Sequence, residues 1–185
     1  MEFRFISDYL PEIEPIYYIS EYGDIYSKVK SYNGSYKINV HTICGEPIQL
    51  RVTKMIKPYL NKNITKRILT DLWVINGVPY VKRYLGPEGG RYIRVMLYLD
   101  GHKKRVRYQL HALVNFIFNK GDFNLDTHHL DRNKLNNHYS NLISICRNDH
   151  KSLHKFEDYH SVRLNAREIE DYILSRKFND YRKHK

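Results

Sequence analysis

The sequence has little cysteine and no long apolar run. Its 185 residues include two cysteines, Cys44 and Cys146, and no C-x-x-C pair, which disfavours a disulfide scaffold and a cysteine-rich zinc finger. Both thiols are expected to be free and buried. No segment approaches the roughly 18 consecutive apolar residues of a membrane-spanning helix. The N-terminus, MEFRFISDYLPEIEP, has acidic residues where a secretory signal needs a basic and then an apolar segment. We therefore expect a cytoplasmic protein that does not bind membranes.

Acidic residues are also in the minority. There are 31 lysines and arginines against 20 aspartates and glutamates, a formal net charge of +11, and there are 17 tyrosines. Lysine and arginine neutralise phosphates, and tyrosine stacks or forms hydrogen bonds at hydrated interfaces. The composition favours a polyanionic partner, but ribosomal, membrane-surface and heparin-binding proteins share the same balance.

Two segments of strand-like residues each lead to a turn dipeptide. Residues 16–32 lead to Asn33-Gly34, and residues 91–108 turn at Asp100-Gly101, so both predict β-hairpins. Apolar residues at helical spacing follow each hairpin, at 55–60 and at 110–117. Further on, Asn165 and Glu168 predict a capping box for a helix that ends near Phe178.

Histidine is concentrated in one part of the chain. Six of the ten histidines fall within residues 128–160. The pattern there predicts a strand with two adjacent histidines, a polar loop, a second strand that begins near Asn141, and a helix. His150 and His154 are four residues apart and therefore share one face of that helix. This density of imidazoles in a strand, loop, strand, helix order indicates a functional site.

The stretch from His128 to His154, HHLDRNKLNNHYSNLISICRNDHKSLH, resembles the HNH motif of the ββα-metal nucleases. It is most similar to phage and intron homing endonucleases, in which a basic hairpin and a helix precede the motif as they do here. Residues 18–27 also resemble the modular DNA-binding segment of such nucleases. The resemblance implies an α+β fold of antiparallel hairpins and short helices with a ββα-metal core. It divides the chain into an N-terminal β-rich DNA-binding segment at 1–65, a nuclease domain with its preceding hairpin and helix at 66–160, and a C-terminal helix and basic tail at 161–185.

The resemblance also implies an activity, the metal-dependent hydrolysis of phosphodiester bonds in double-stranded DNA. His128 and His150 would bind one divalent ion, His129 would be the general base, and Asn141 would orient His129 through a hydrogen bond. A neutral imidazole is a suitable base near neutral pH. His154 is a further candidate, either as a metal ligand or as a supporting residue. Mg²⁺ is the expected ion, with Mn²⁺ or another transition metal as the alternative because imidazole nitrogen replaces a carboxylate.

Basic side chains near this motif are candidates for DNA contacts. Four lie on the return strand of the second hairpin, one follows the paired histidines, and three lie on the first hairpin: Lys103, Lys104, Arg105, Arg107, Arg132, Lys28, Lys30 and Lys37. A non-catalytic DNA-binding protein that retains the HNH fold is the competing interpretation, and an RNA-directed nuclease is a third. A monomer and a homodimer are both compatible with the sequence.

Overall fold

The structure is a computed structural model that describes residues 2–28, 48–56, 66–75, 78–82, 87–88 and 92–183, with side chains described for 2–28 and 92–176. The chain forms two compact units. One contains Phe3–Ser20 and Asp24–Tyr84, and the other contains Leu85–Lys185 together with residues 1–2 and 21–23. Among the described residues, no helix is long and apolar enough to cross a membrane.

The first unit is an antiparallel sheet. Its strand order is β1-β2-β3-β6-β5-β4, and every neighbouring pair is antiparallel. Isoleucine and tyrosine side chains on its first elements are fully buried, among them Ile13, Ile19, Ile25 and Tyr26. The strands are β1 (Phe3–Phe5), β2 (Tyr17–Ser20), β3 (Ile25–Lys28), β4 (Ile48–Ile56), β5 (Lys66–Ile75) and β6 (Val78–Lys82).

Two local predictions for this unit need correction. Residues 16–32 are not one strand, because the chain reverses between β2 and β3, where Gly23 has a φ of 83° that suits glycine. Met55 and Ile56 belong to β4 and not to a helix. The physical reason is the alternation of Ile48, Leu50 and Val52 with polar residues, a period of two that the helical interpretation overlooked. The predicted turn at Asn33-Gly34 lies outside the described residues.

The second unit mixes short antiparallel sheets with helices, and the predicted α+β class is confirmed. The hairpin at Asp100-Gly101, the helix at 110–118 and the strand, loop, strand, helix order are confirmed as well. Its elements are β7 (Pro87–Glu88), β8 (Tyr92–Tyr98), β9 (Arg105–Gln109), α1 (Leu110–Asn119), β10 (Asp126–His129), β11 (Leu142–Ile145), α2 (Arg147–His160) and α3 (Ala166–Lys183).

Helix α1 is the centre of this unit. It packs against β8, β9, β10 and β11, and it buries Leu110, Leu113, Val114 and Ile117 at helical spacing. Its contacts therefore link the β8–β9 hairpin to the β10–β11 pair. A separate apolar cluster, formed by Ile145, Leu153 and Ile169, packs the second strand of that pair with α2 and α3. These two cores fix the position of α2 beside β10.

The predictions made for the ends of α3 and for Cys146, at the start of α2, are confirmed only in part. Asn165 and Glu168 form the predicted capping box: the backbone N–H of Glu168 donates to Oδ1 of Asn165 at 3.0 Å, and that of Asn165 donates to Oε2 of Glu168 at 2.8 Å. The helix that they begin continues to Lys183, past the expected end at Phe178. Cys146 is exposed and not buried as predicted, because it follows the last residue of β11 and is the N-cap of α2. Its Sγ lies 2.9 Å from Oδ2 of Asp149.

The predicted domain division at residues 65 and 66 falls between β4 and β5, which pair along their whole length within the first unit. The main division of the chain into two compact units falls instead between residues 84 and 85. Whether the segments 1–65, 66–160 and 161–185 are separable domains stays a prediction.

Candidate metal centre

Three imidazoles converge where α2 crosses the β10–β11 pair. His128 projects from β10, and His150 and His154 follow one another on the same face of α2. Nδ1 of His128 lies 3.1 Å from Nε2 of His150, and Nε2 of His154 lies 2.9 Å from the same atom. One nitrogen from each ring falls within 4.8 Å of the others. The structure thus brings the two predicted ligands together with His154, the further candidate.

Hydrogen bonding does not account for this cluster. Nδ1 of His150 lies 3.1 Å from Oδ2 of Asp126, a carboxylate that only accepts, so in the neutral ring Nδ1 carries the proton and Nε2 has one lone pair. That single lone pair faces two ring nitrogens. His128 is almost completely buried, and its Nε2 has no hydrogen-bond partner among the described residues. Whichever tautomers His128 and His154 adopt, one lone pair on His150 does not satisfy both of the nitrogens that face it, which is costly unless a further group binds there.

A metal ion fits these distances. Metal–imidazole bonds are about 2.0–2.1 Å, so two nitrogens in neighbouring positions around one ion lie about 2.9–3.4 Å apart. The observed separations of 2.9 and 3.1 Å agree with that range. Burial lowers the pKa of His128 to about 3, with His150, His154 and Arg132 adding to the effect, and burial also lowers the pKa of His154. Both rings are therefore neutral at pH 7, the form that binds metals.

Asp126 belongs to this centre and was missed from the sequence. A carboxylate that holds the outer nitrogen of a metal-binding histidine fixes its tautomer and ring orientation. Side chains alternate along a strand, so Asp126 and His128, two residues apart on β10, project from the same face. That alternation is the signal that identifies Asp126 once His128 is taken as a ligand.

His129 lies on the opposite side of β10 from His128. The strand ends at His129, as the separate use of two adjacent histidines requires. The ring is buried, and its Nε2 lies 3.3 Å from Oδ1 of Asn137, which is also buried. Burial lowers the pKa of His129, while the hydrogen bond that its ring donates to Oδ1 of Asn137 opposes that shift. His129 is thus a neutral imidazole with one nitrogen fixed by an amide.

The role predicted for Asn141 needs correction. Asn141 does not orient His129, because its amide is bound within the loop between β10 and β11. Its Oδ1 accepts from the backbone of Asp131 at 3.1 Å, and its Nδ2 donates to Oδ1 of Asp131 and to the carbonyl of Asn136, both at 2.9 Å. Asn137 makes the contact with His129 instead. No spacing in the sequence distinguishes Asn137 from the other asparagines of that loop.

Arg132 is also bound within the protein. It has a φ of 62°, and its Nε donates to Oε2 of Glu157 at 2.8 Å. Glu157 is fully buried on α2, and its other oxygen accepts from the backbone of Leu164 at 3.0 Å. A second carboxylate, Asp158, lies 3.5 Å from Arg132. This ion pair ties the loop to α2, and the DNA contact of Arg132 stays a prediction.

Comparison with known proteins adds little to this geometry. No protein-family model matches the chain, and no curated protein matches it. One similar solved structure is described as DNA binding and cleavage by the HNH homing endonuclease I-HmuI, with 20% identity and a TM-score of 0.42. The match covers 93% of this chain and 66% of that chain, slightly less than two thirds. At this level the similarity carries no argument about function, which has to come from the site itself.

The basic hairpin presents its charges outward. Val95 and Leu97 of β8 are buried, while Lys103, Lys104, Arg105 and Arg107 are all exposed. Tyr98 pairs with Arg105 and Met96 with Arg107 across the ladder, and the Arg105 guanidinium lies 5.4 Å from the centre of the Tyr98 ring. The predicted basic outer face is therefore confirmed. In the other unit Lys28 is exposed, and Lys30 and Lys37 lie outside the described residues.

Proposed function

We propose that this chain is a metal-dependent endonuclease that hydrolyses phosphodiester bonds in double-stranded DNA, with a site of the HNH type. One observation supports the proposal above all others. Consecutive residues of β10 place His128 in a cluster of three imidazoles and His129, as a buried neutral imidazole, on the opposite side of the strand. A metal site next to a general base is what hydrolysis of a phosphodiester requires.

His128, His150 and His154 would hold one divalent ion, with Asp126 orienting His150. When bound, the ion supplies positive charge for the leaving oxygen of the phosphodiester. Three nitrogen donors suit Mn²⁺, Co²⁺, Ni²⁺ or Zn²⁺ better than Mg²⁺, which prefers oxygen ligands. The proposal therefore favours a transition metal over the Mg²⁺ expected from the sequence.

His129 would take the proton from the attacking water. Oδ1 of Asn137 is an acceptor, because its Nδ2 donates to the carbonyl of Leu135 at 3.3 Å. Nε2 of His129 therefore carries the proton, and Nδ1 is the nitrogen with a free lone pair. Burial keeps this ring neutral and able to accept a proton at physiological pH.

The exposed arginines and lysines of the β8–β9 hairpin would contact DNA phosphates and hold the duplex near the site. We place the enzyme among homing endonucleases of phages or mobile elements. It would work in the host cytosol as a monomer or a homodimer, and it would leave 5′-phosphate and 3′-hydroxyl ends.

The test is incubation of the purified protein with supercoiled plasmid and with long natural DNA, in Mn²⁺, Co²⁺, Mg²⁺ or EDTA. We expect nicked or linear product with a divalent ion, none in EDTA, and none with the His129→Ala variant. Salt-sensitive DNA binding without cutting under every metal would favour the non-catalytic DNA-binding protein. Preferential cutting of RNA would favour the RNA-directed nuclease.

A further inference from the structure

Lys134 is held in a rigid loop beside the proposed base. The backbone nitrogen of Asn133 is bound by Oδ1 of Asp131 at 2.8 Å, and that of Leu135 is bound by Oδ1 of Asn133 at 3.1 Å. Asn136 closes the loop with a bond of 2.7 Å to the other oxygen of Asp131. These bonds on both sides of Lys134 fix the direction in which its side chain leaves the loop.

The side chain of Lys134 extends over an aromatic ring that also borders His129. Its Nζ lies 5.0 Å from the centre of the Tyr92 ring, a cation–π contact. The same ring lies 6.2 Å from the ring of His129 in a stacked arrangement, and 4.7 Å from buried His111. Tyr92 therefore contacts both the ammonium group and the imidazole, which places a positive charge near His129.

The charge of Lys134 has no structural use that the described side chains reveal. Arg132, two residues earlier, is paired with Glu157 and Asp158. Lys134 is exposed, and among the residues whose side chains are described, no carboxylate lies within 4.0 Å of its ammonium group. The positive charge of Lys134 disfavours the protonated ring of His129 and thereby helps to lower its pKa. A cation held by an aromatic ring and not by an anion is available for an anionic ligand.

We infer that Lys134 is a phosphate-binding residue of the active site, which contacts a non-bridging oxygen of the phosphodiester that is cut. This inference rests on the proposed endonuclease function. Charge that develops on the phosphate oxygens during hydrolysis is stabilised by a fixed cation, and removal of one such donor typically lowers kcat by about 100-fold. An ammonium group over Tyr92 is poised for this role without a rearrangement of the loop.

The experiment compares single-turnover cleavage of plasmid DNA by the wild type, Lys134→Met, Lys134→Arg and the matched control Lys155→Met, an exposed lysine on α2. We expect Lys134→Met to lower the maximal rate by about 100-fold with little change in DNA affinity measured in EDTA. Lys134→Arg should recover most of the rate, and the control should match the wild type. Wild-type cleavage by Lys134→Met would overturn the inference and leave the proposed endonuclease standing.

A second measurement is independent of cleavage. Titration with the dinucleotide TpT, followed through the ring protons of His129 by NMR, should show saturable shifts in the wild type that are lost in Lys134→Met and kept in Lys155→Met. The same shifts in a protein that cuts no DNA would uphold Lys134 as a phosphate-binding residue and reject the nuclease. Identical titrations of the wild type and Lys134→Met would overturn the inference whatever the activity.

Discussion

Asp126 holds Nδ1 of His150 at 3.1 Å and thereby turns Nε2 of His150 toward His128 and His154. The carboxylate lies on the strand that carries His128, and the imidazole lies on the helix that carries His154. One contact between strand and helix thus sets both the tautomer and the direction of the central ring. The geometry of the proposed metal centre depends on residues at both ends of this bond.

Replacement of Asp126 by asparagine should therefore weaken metal binding. The negative charge that favours the metal-binding tautomer of His150 is lost, and such changes typically lower metal affinity by about 10- to 100-fold. Competition with a chelator for Co²⁺ or Zn²⁺ measures the affinity directly. Asp122→Asn is the matched control, because Asp122 is exposed and binds only within its own turn. Equal affinities for the two variants would contradict the role of Asp126.

The ion pair between Arg132 and Glu157 should stabilise the folded protein. Arg132→Met leaves a buried carboxylate without its partner, which costs about 3 kcal/mol, the lower end of the usual range because Arg132 is partly exposed. Urea unfolding measures the loss. Adding Glu157→Gln should restore part of the stability, because the amide is neutral and keeps an acceptor for the backbone of Leu164. A stable Arg132→Met variant with a reduced salt dependence of DNA binding would restore the predicted DNA contact.

The order of elements around the site was predictable because each element is indicated by the pattern of the residues within it. Alternation indicates β10 and β11, and the spacing of His150 and His154 indicates one face of α2. Contacts between residues that meet only in the folded chain were not predictable from the sequence. Asn137 and not Asn141 contacts His129, and Glu157 engages Arg132, because the loop between β10 and β11 is shaped by the bonds of Asn141 and by the left-handed backbone of Arg132. Sequence spacing does not encode such loop geometry.

The metal-free protein should lose stability as the pH falls. Burial lowers the pKa of His111 to about 3 from an ordinary value of 6.5, with His129 and His150 adding to the effect. Between these values the unfolded chain binds a proton that the folded protein does not, so acidification favours unfolding. Each such group contributes a slope of up to about 1.4 kcal/mol per pH unit. Below pH 6.5, the free energy of unfolding in EDTA should therefore fall steadily toward pH 4.

His111→Gln tests the contribution of this one histidine. The variant should show a shallower fall in the free energy of unfolding by urea over the same pH range, because one of the buried neutral imidazoles is gone. His128 and His129 remain and keep part of the slope. His160→Gln, at an exposed position, should behave as the wild type. Parallel curves for His111→Gln and the wild type would show that His111 does not contribute.

Loss of the Asn137 side chain should impair catalysis, whereas loss of the Asn141 side chain should impair stability. Asn137→Ala frees the ring of His129, so we expect kcat for cleavage to fall by about 100-fold, the low end of the usual contribution of a general base, with KM unchanged. Asn137→Asp, which keeps the acceptor oxygen, should recover much of kcat. Asn141→Ala removes three bonds within the loop and should instead lower the melting temperature. A normal kcat in Asn137→Ala would move the orienting role elsewhere.

The outer face of the β8–β9 hairpin should set the salt dependence of DNA binding. Lys104 precedes its return strand, Arg105 and Arg107 lie on that strand, and all three are exposed. Each phosphate contact contributes about 0.9 to the slope of log affinity against log salt. Replacement of all three by alanine should weaken binding and reduce the slope by about 2–3, as measured by fluorescence anisotropy over a salt series. A charge-matched variant with alanine at Lys151, Lys155 and Arg167, exposed on α2 and α3, controls for net charge. If both triple variants reduce the slope equally, the hairpin acts only through the overall charge of the protein and does not bind phosphates at a defined site.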